Sequence, residues 1–218
     1  MSNYLVLLRH GQSQWNLENR FTGFHDVELS EKGREEAKEA GEHLKEAKIK
    51  FDKVYTSTLK RAYTTAEIAL AAAGESDLLK EMIKSEDMRE RDYGELTGLN
   101  KDETSAKYGA EQVLIWRRSY DICPPGGESL LDVVEKRVRP YYTNTIKADI
   151  DAGKNVLVAA HGNSLRALLI ILGENTPDNI NATEIPTGSP LVIEFENGKR
   201  IDKYYLTERM AEKIDGSK

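Results

Sequence analysis

The chain has 218 residues and a formal net charge of -6, with 31% charged and 39% hydrophobic residues, enough for one well-buried core, and no Pro- or Ser-rich linker divides it. The acidic balance excludes general nucleic-acid binding, which needs a basic surface. No apolar run reaches bilayer length, Tyr4 to Leu8 is too short for a signal-peptide core, and the single Cys123, beside Pro124 and Pro125, excludes an internal disulfide. A single domain over 1–218, in the cytoplasm and without membrane contact, is therefore expected.

Tyr4 to Leu8 reads as a buried strand, followed by a loop holding Gly11, Gly23 and Asp26. Ser30 is an apt N-cap for a helix on which Ala37, Ala40, Gly41 and Leu44 recur at helical spacing. Phe51 to Thr56 reads as a second strand, and an alanine-rich helix follows from about Leu59 to Ala73. Met82 to Asp87 suggests a short strand, and Arg89 to Pro125 an excursion of loops and short helices. Ser129 to Asp132 resembles a capping box opening a helix that Pro140 kinks. Asn155 to Ala160 is the next strand, and Ser164 to Leu172 a helix ended by Gly173. Pro190 to Glu194 and Lys199 to Leu206 pair through an Asn197-Gly198 turn. Strands alternating with helices predict a mainly parallel sheet covered on both faces. The last twelve residues, from Thr207, read as a polar mobile tail.

Two of these strands end in a histidine and a glycine, at LLRHG (Leu7 to Gly11) and VLVAAHGN (Val156 to Asn163), in a chain with four histidines. Parallel strands remote in sequence can end side by side at the ligand-binding edge of a sheet, so the two pairs predict one site. Gly11 admits close backbone approach, and Gln12, Ser13 and Asn16 are short polar donors suited to a tetrahedral oxyanion. An imidazole among cations stays neutral, leaving one ring nitrogen free to attack phosphorus. A metal pair would also explain two histidines, but closely spaced His or Cys ligands are lacking. Metal-free phosphoryl transfer needs cations on the equatorial oxygens, and Arg9, Arg61 and a second histidine can supply them. A packed histidine and a solvated arginine are the plain alternatives at His10 and Arg61. Arg89, Arg91, Lys101, Arg117 and Arg118 could extend the basic pocket inside the acidic shell.

Further segments widen the pattern: FTGFHD (Phe21 to Asp26), LSEKGREEA (Leu29 to Ala37), TSTLKRAYTTA (Thr56 to Ala66), RERDYGELTG (Arg89 to Gly98), YGAEQVLIWRRSYD (Tyr108 to Asp121), GGESLLD (Gly126 to Asp132) and IPTGSP (Ile185 to Pro190). With the two His-Gly segments, they resemble the histidine phosphatase superfamily, and within it the cofactor-dependent phosphoglycerate mutases, over most of the chain. RHG alone indicates the superfamily, whereas WRRS (Trp116 to Ser119) and the FTG segment point to the mutases. The resemblance implies an α/β fold of three α/β/α layers, phosphoglycerate mutase-like, with a mainly parallel central sheet. It implies that His10 is phosphorylated, that Arg9, Arg61 and His161 stabilise the transferring group, and that Glu90 is the acid/base. Ser13, Asn16, Thr22, Gly23, Gly162 and Asn163 would line the phosphate pocket, and Arg91, Tyr93, Lys101, Arg117 and Arg118 would hold the rest of the substrate.

The implied reaction interconverts 3-phosphoglycerate and 2-phosphoglycerate in glycolysis and gluconeogenesis, with 2,3-bisphosphoglycerate as primer and no metal. Small phosphoglycerates are the implied partners, and a homodimer is one assembly open to the chain. Two departures stand out. The segment after Pro125 is shorter than in many members, and Asp92 stands where a histidine is common, so its charge could raise the Glu90 carboxyl's proton affinity or simply face water. The tail either closes over the site or hangs free. A broad phosphomonoesterase of the same superfamily is the enzymatic rival, and a silent phospho-ligand-binding protein is the rival of another class; the full set Arg9, His10, Arg61, Glu90 and His161 argues against the latter.

Overall fold

The computed structural model describes residues 1–215, the last three of them by backbone alone. The elements run β1 (Ser2–Arg9), α1 (Gln14–Leu17), α2 (Glu31–Glu46), β2 (Lys53–Ser57), α3 (Lys60–Ala72), β3 (Ile83–Ser85), α4 (Lys101–Tyr108), α5 (Ala110–Arg118), α6 (residues 130–151), β4 (Val156–Ala160), α7 (Gly162–Ile171), β5 (Leu191–Glu196), β6 (Lys199–Tyr205) and α8 (Leu206–Asp215). The strands form one sheet in the order β3-β2-β4-β1-β5-β6. β1, β2, β3 and β4 are parallel to one another, whereas β5 and β6 run as an antiparallel hairpin added beyond β1.

The sheet separates two apolar layers because side chains alternate along each strand. Leu5 and Leu7 of β1, with Val156 and Val158 of β4, face Val133, Val134, Val138 and Ile146 of α6 and Leu165 and Leu168 of α7. Val6 and Leu8, with Leu157 and Ala159, face Ala40 and Leu44 of α2 and Ala66, Ala69 and Leu70 of α3. A strand buried on both faces needs a near-continuous apolar run, which is what LVLL and VLVAA supply. The three-layer α/β/α expectation is met.

Several local signals act as read. Ser30 Oγ accepts from Gly33 N and caps α2, and Ser129 with Asp132 forms a reciprocal capping box at the start of α6. Asn197 and Gly198 have φ of 51° and 76°, the left-handed pair that a two-residue hairpin demands. Pro140 acts through a widening of α6: π-type turns flank it at Val133–Val138 and Tyr142–Ile146.

The segment read as a polar tail begins in a helix. From Leu206 the chain forms α8, on which Leu206 and Met210, four residues apart, lie on one helical face and join the α2–α3 core layer. Arg209 adds an ion pair with Asp202 at 2.9 Å and covers the Tyr204 ring. Residues 216–218 of the expected tail lie outside the described residues. Among the described residues, no helix is long and apolar enough to cross a membrane.

The first turn of α2 lies directly on the loop after β1. A Cβ on Gly33 would stand 2.0 Å from the Gln12 carbonyl oxygen, and one on Gly11 would stand 2.1 Å from the Gly33 oxygen. Both clashes are with backbone, which cannot swing aside. Gly33→Ala should therefore cost about 1–3 kcal/mol of stability, lowering the melting temperature by about 2–4 °C per kcal/mol. Thermal unfolding followed by circular dichroism measures this, and an unchanged transition would contradict the packing described.

Candidate active site

The site forms where β1, β4 and β2 end together. Arg9 is in register with Ala160, and His10 N donates to the Ala160 carbonyl at 3.0 Å. His10 is thereby carried beside His161, the N-cap of α7, and their rings meet edge to face with centroids 5.1 Å apart. The loop after His10 is held from three directions. Gly11 N donates to Thr65 Oγ1 of α3 at 3.1 Å, and Gln12 N donates to Glu36 Oε1 of α2 at 2.9 Å. The Thr187 hydroxyl donates to Glu36 Oε2 at 2.6 Å, and Gly188 N donates to the Arg9 carbonyl at 2.9 Å.

His10 Nδ1 lies 2.7 Å from the Gly11 carbonyl oxygen. A carbonyl only accepts, so Nδ1 carries the proton and Nε2 keeps its lone pair. Burial, with the nearby Arg61 and Arg9 guanidinium groups, holds the imidazole well below the usual histidine range. His161 is depressed in the same way by burial and by Arg61; its Nε2 meets Ser57 Oγ at 2.7 Å, while its buried Nδ1 has no hydrogen-bond partner.

Around the two rings, arginines are held by backbone oxygens. Arg61, 1% exposed, donates to the carbonyls of His25 at 2.8 Å and Gly23 at 2.7 Å. Burial pushes it down to about 10, so it still carries its charge at neutral pH. Arg9 donates to the Ile185 carbonyl at 2.9 Å, and its buried Nε has no partner. Glu90 Oε1 accepts from Arg91 N at 2.8 Å and from Asn163 N at 3.1 Å. Burial pushes its carboxyl up, but the Arg91 amide and the guanidinium groups of Arg61, Arg9 and Arg166 outweigh this and hold it below the usual carboxylate range.

Two polar recesses open here. The inner one, about 410 Å³ including its mouth, is lined by His10, Asn16, Arg20, Phe21, Thr22, Gly23 and Arg61. The outer one, about 580 Å³, is lined by Arg117, Arg118, Gly162, Asn163, Arg166, Asn181 and Glu184. Arg9, Glu90, Tyr93 and Lys101 line both, so the two are one continuous trough. Among the described residues, no group of three or more His, Cys, Asp or Glu could hold a metal ion.

This trough, with its neutral histidine and guanidinium groups held mainly by backbone carbonyls, is suited to a phosphoryl group and a further anion. The sequence profile described as Histidine phosphatase superfamily (branch 1) matches residues 5–206. The chain belongs to this superfamily. A relative from Brucella anthropi, named 2,3-bisphosphoglycerate-dependent phosphoglycerate mutase, is 55% identical over 192 residues, 88% of this chain and 92% of its own. Among solved structures, the mycobacterial glucosyl-3-phosphoglycerate phosphatase in complex with VO3 superposes with a TM-score of 0.76 at 28% identity, covering 93% of this chain and 97% of its own. A phosphoglycerate mutase from Bacillus anthracis gives a TM-score of 0.71 at 25% identity, covering 92% and 91%.

Within this histidine phosphatase site, most residues singled out in the sequence converge. Arg9, His10, Asn16, Thr22, Gly23, Arg61, Glu90, Tyr93, Lys101, Arg117, Arg118, Gly162 and Asn163 line the trough. His161 backs His10, and Ser13 lies behind the wall as the N-cap of α1, its hydroxyl accepting from Asn16 N at 3.1 Å. Arg91 lines neither recess: it is 1% exposed, donates to the Trp116 carbonyl of α5 at 3.0 Å and lies over the Tyr93 ring. Of the two readings left open for Asp92, the rise of Glu90 is not found, because Asp92 is not among the groups that shift the Glu90 carboxyl; its Oδ1 accepts from Gly94 N at 2.9 Å and closes a local turn. Of the two readings of the tail, closing over the site is not seen through Glu212, since those residues of α8 line neither recess.

Sequence reasoning missed Arg20, Phe21, Arg166, Asn181 and Glu184 in the lining and two clamps behind it, Glu36 and Arg137. Arg166 had a signal, since it follows Gly162 by four residues on a helix and so shares its face. Arg137 donates twice to Glu128, at 2.9 and 2.8 Å, and also to the carbonyls of Asp87, Arg89 and Glu90, fixing the segment that carries Glu90. No local pattern marks it.

The depressed histidines make stability pH-dependent. In the unfolded chain each takes a proton near pH 6.5; in the folded chain it does not, so the unfolded state binds more protons below that pH. Stability should fall as pH drops through and below about 6.5, each histidine adding a slope approaching 1.4 kcal/mol per pH unit. Urea unfolding at several pH values between 7.5 and 5 should show a shallower slope for His161→Gln than for the parent. Equal slopes would argue against a neutral buried His161.

Proposed function

We propose that the chain, as one phosphoglycerate mutase-like domain, interconverts 3-phosphoglycerate and 2-phosphoglycerate through a phosphorylated His10, without a metal. The observation that carries this reading is a neutral His10, proton fixed on Nδ1 and Nε2 free, at the foot of a trough whose outer recess adds Arg117, Arg118 and Arg166. The name of the 55% identical relative supports it and supplies the primer. The donor set fits 2,3-bisphosphoglycerate: cations line both recesses, and Arg9 Nε and His161 Nδ1 are buried donors or acceptors without protein partners. When bound, that compound supplies the phosphoryl group that primes the histidine.

The chain's own residues then divide the work. His10 Nε2 attacks phosphorus as the bond to the leaving oxygen breaks, and Arg9, Arg61, Asn16 and His161 surround the transferring oxygens. Thr22, Gly23, Gly162 and Asn163 complete the wall, with Ser13 holding Asn16 in place. Glu90 is held ionised by the cationic field around it, and an anionic ligand offsets that field and raises its proton affinity. It can therefore give a proton to the leaving oxygen and recover one from the attacking hydroxyl. Tyr93, Lys101, Arg117 and Arg118 retain the glycerate while it turns, with the planar arginine forks suited to carboxylate and phosphate. A phosphatase has no need of such retention because its final acceptor is water.

Quenched turnover with 2,3-bisphosphoglycerate should leave acid-labile phosphate on His10 by mass spectrometry. An active enzyme with no modified His10 would sink the mechanism. Glu90→Gln should lower kcat by about 10²–10⁴-fold, the usual contribution of a general acid/base. An assay of 3-phosphoglycerate with free phosphate measured in parallel separates transfer from hydrolysis.

A further inference from the structure

Arg166 is a charged group that the reading so far leaves without a task. It projects from the second turn of α7 back over the first, as side chains four residues along a helix do. It is 8% exposed and lines the outer recess. Its Nη2 donates to the Thr183 carbonyl at 3.2 Å, whereas its buried Nε has no partner. Nη1 stands 3.1 Å from where a Gly162 Cβ would be, and the unpartnered Arg9 Nε stands 3.6 Å from the same point. Two guanidinium groups therefore converge at the N-terminus of a ten-residue helix, itself a favourable place for negative charge.

The nearby anions do not balance this charge. Glu90 is shared among the Arg91 and Asn163 amides and the fields of Arg61, Arg9 and Arg166. Glu184, the other carboxylate of the outer recess, pairs with Arg118 at 4.0 Å. Burying a guanidinium without its own counterion is costly, and the cost is offset when a ligand brings the counterion.

We propose that Arg166 is a ligand-binding residue of the outer recess, where it takes an oxygen of the anionic group, carboxylate or second phosphate, that is not being transferred. The assignment rests on the mutase reading above. It adds to Arg117 and Arg118 a buried cation of the outer recess, near Arg9, which lines both recesses. Because Arg166 faces ligand beyond the transferring phosphate, its removal should weaken ligands with two anionic groups and spare those with one.

The test compares equilibrium binding of 2,3-bisphosphoglycerate with that of orthovanadate, a single oxyanion. Arg166→Gln should weaken the bisphosphate about 10- to 100-fold, the loss of a charge-assisted hydrogen bond, and leave vanadate within about twofold. Arg166→Lys, which keeps the charge and loses the fork, should fall between. The lysine variant carries the comparison if the glutamine variant fails to fold. Equal losses for both ligands would show that Arg166 only supports the inner wall or Glu90, and no loss for either would show that it touches no ligand; each result overturns the proposal alone. A wild-type protein that binds vanadate but not the bisphosphate overturns the mutase reading as well, so the two failures are distinct.

Discussion

The interaction on which the site depends is the hydrogen bond from a buried guanidinium to a backbone carbonyl. Arg61 is held by His25 and Gly23, Arg9 by Ile185, and Arg166 by Thr183, all through main-chain oxygens. A carboxylate in those places would fix the side chains equally well but would cancel their charge. A carbonyl dipole orients the cation and leaves its field open to a ligand. That field has opposite effects on two nearby groups: it keeps His10 neutral and nucleophilic, and it keeps Glu90 ionised against the pull of burial. Arg137 shows the contrast. It answers a carboxylate, Glu128, and its work is structural, fixing the backbone beneath Glu90.

Such a cage demands a rigid frame, since unpaired cations at close range repel. The frame is the sheet edge where β1 and β4 end in register, stiffened by Glu36, which receives the Gln12 amide and the Thr187 hydroxyl. One α2 carboxylate thus ties the loop after His10 to the loop before β5. Gly11 and Gly33, whose backbones touch, allow α2 to come close enough for this. The fold's contribution to chemistry is therefore mostly distance: helices are seated tightly on a sheet whose strand ends cannot drift apart.

Much of this architecture was legible in the sequence because its signals are local. Apolar runs ending in RHG and AHG locate the two central strands and the histidines at their ends, Ser30 and Ser129 cap helices, and Asn197-Gly198 turns the hairpin. What escaped is tertiary. Leu206 and Met210 look unremarkable in a polar segment until a groove beside α2 receives them. Glu36 and Arg137 are single charged residues on helices, indistinguishable by pattern from solvated ones. Arg91 follows Glu90 in the motif, yet irregular backbone turns it toward α5, and no periodicity applies there. Arg166 sits in an apolar helical run, where its spacing from Gly162 gives its face but not its burial.

The bond between His10 Nδ1 and the Gly11 carbonyl has a consequence for how this site can evolve. The ring nitrogen presented to phosphorus is chosen by a main-chain oxygen, and no side-chain replacement can delete a main-chain oxygen. Regiochemistry is therefore protected from point mutation in a way that affinity, carried by exchangeable arginines and lysines, is not. Descendants of such a chain are free to change what they phosphorylate while inheriting, unaltered, the atom that carries the phosphate.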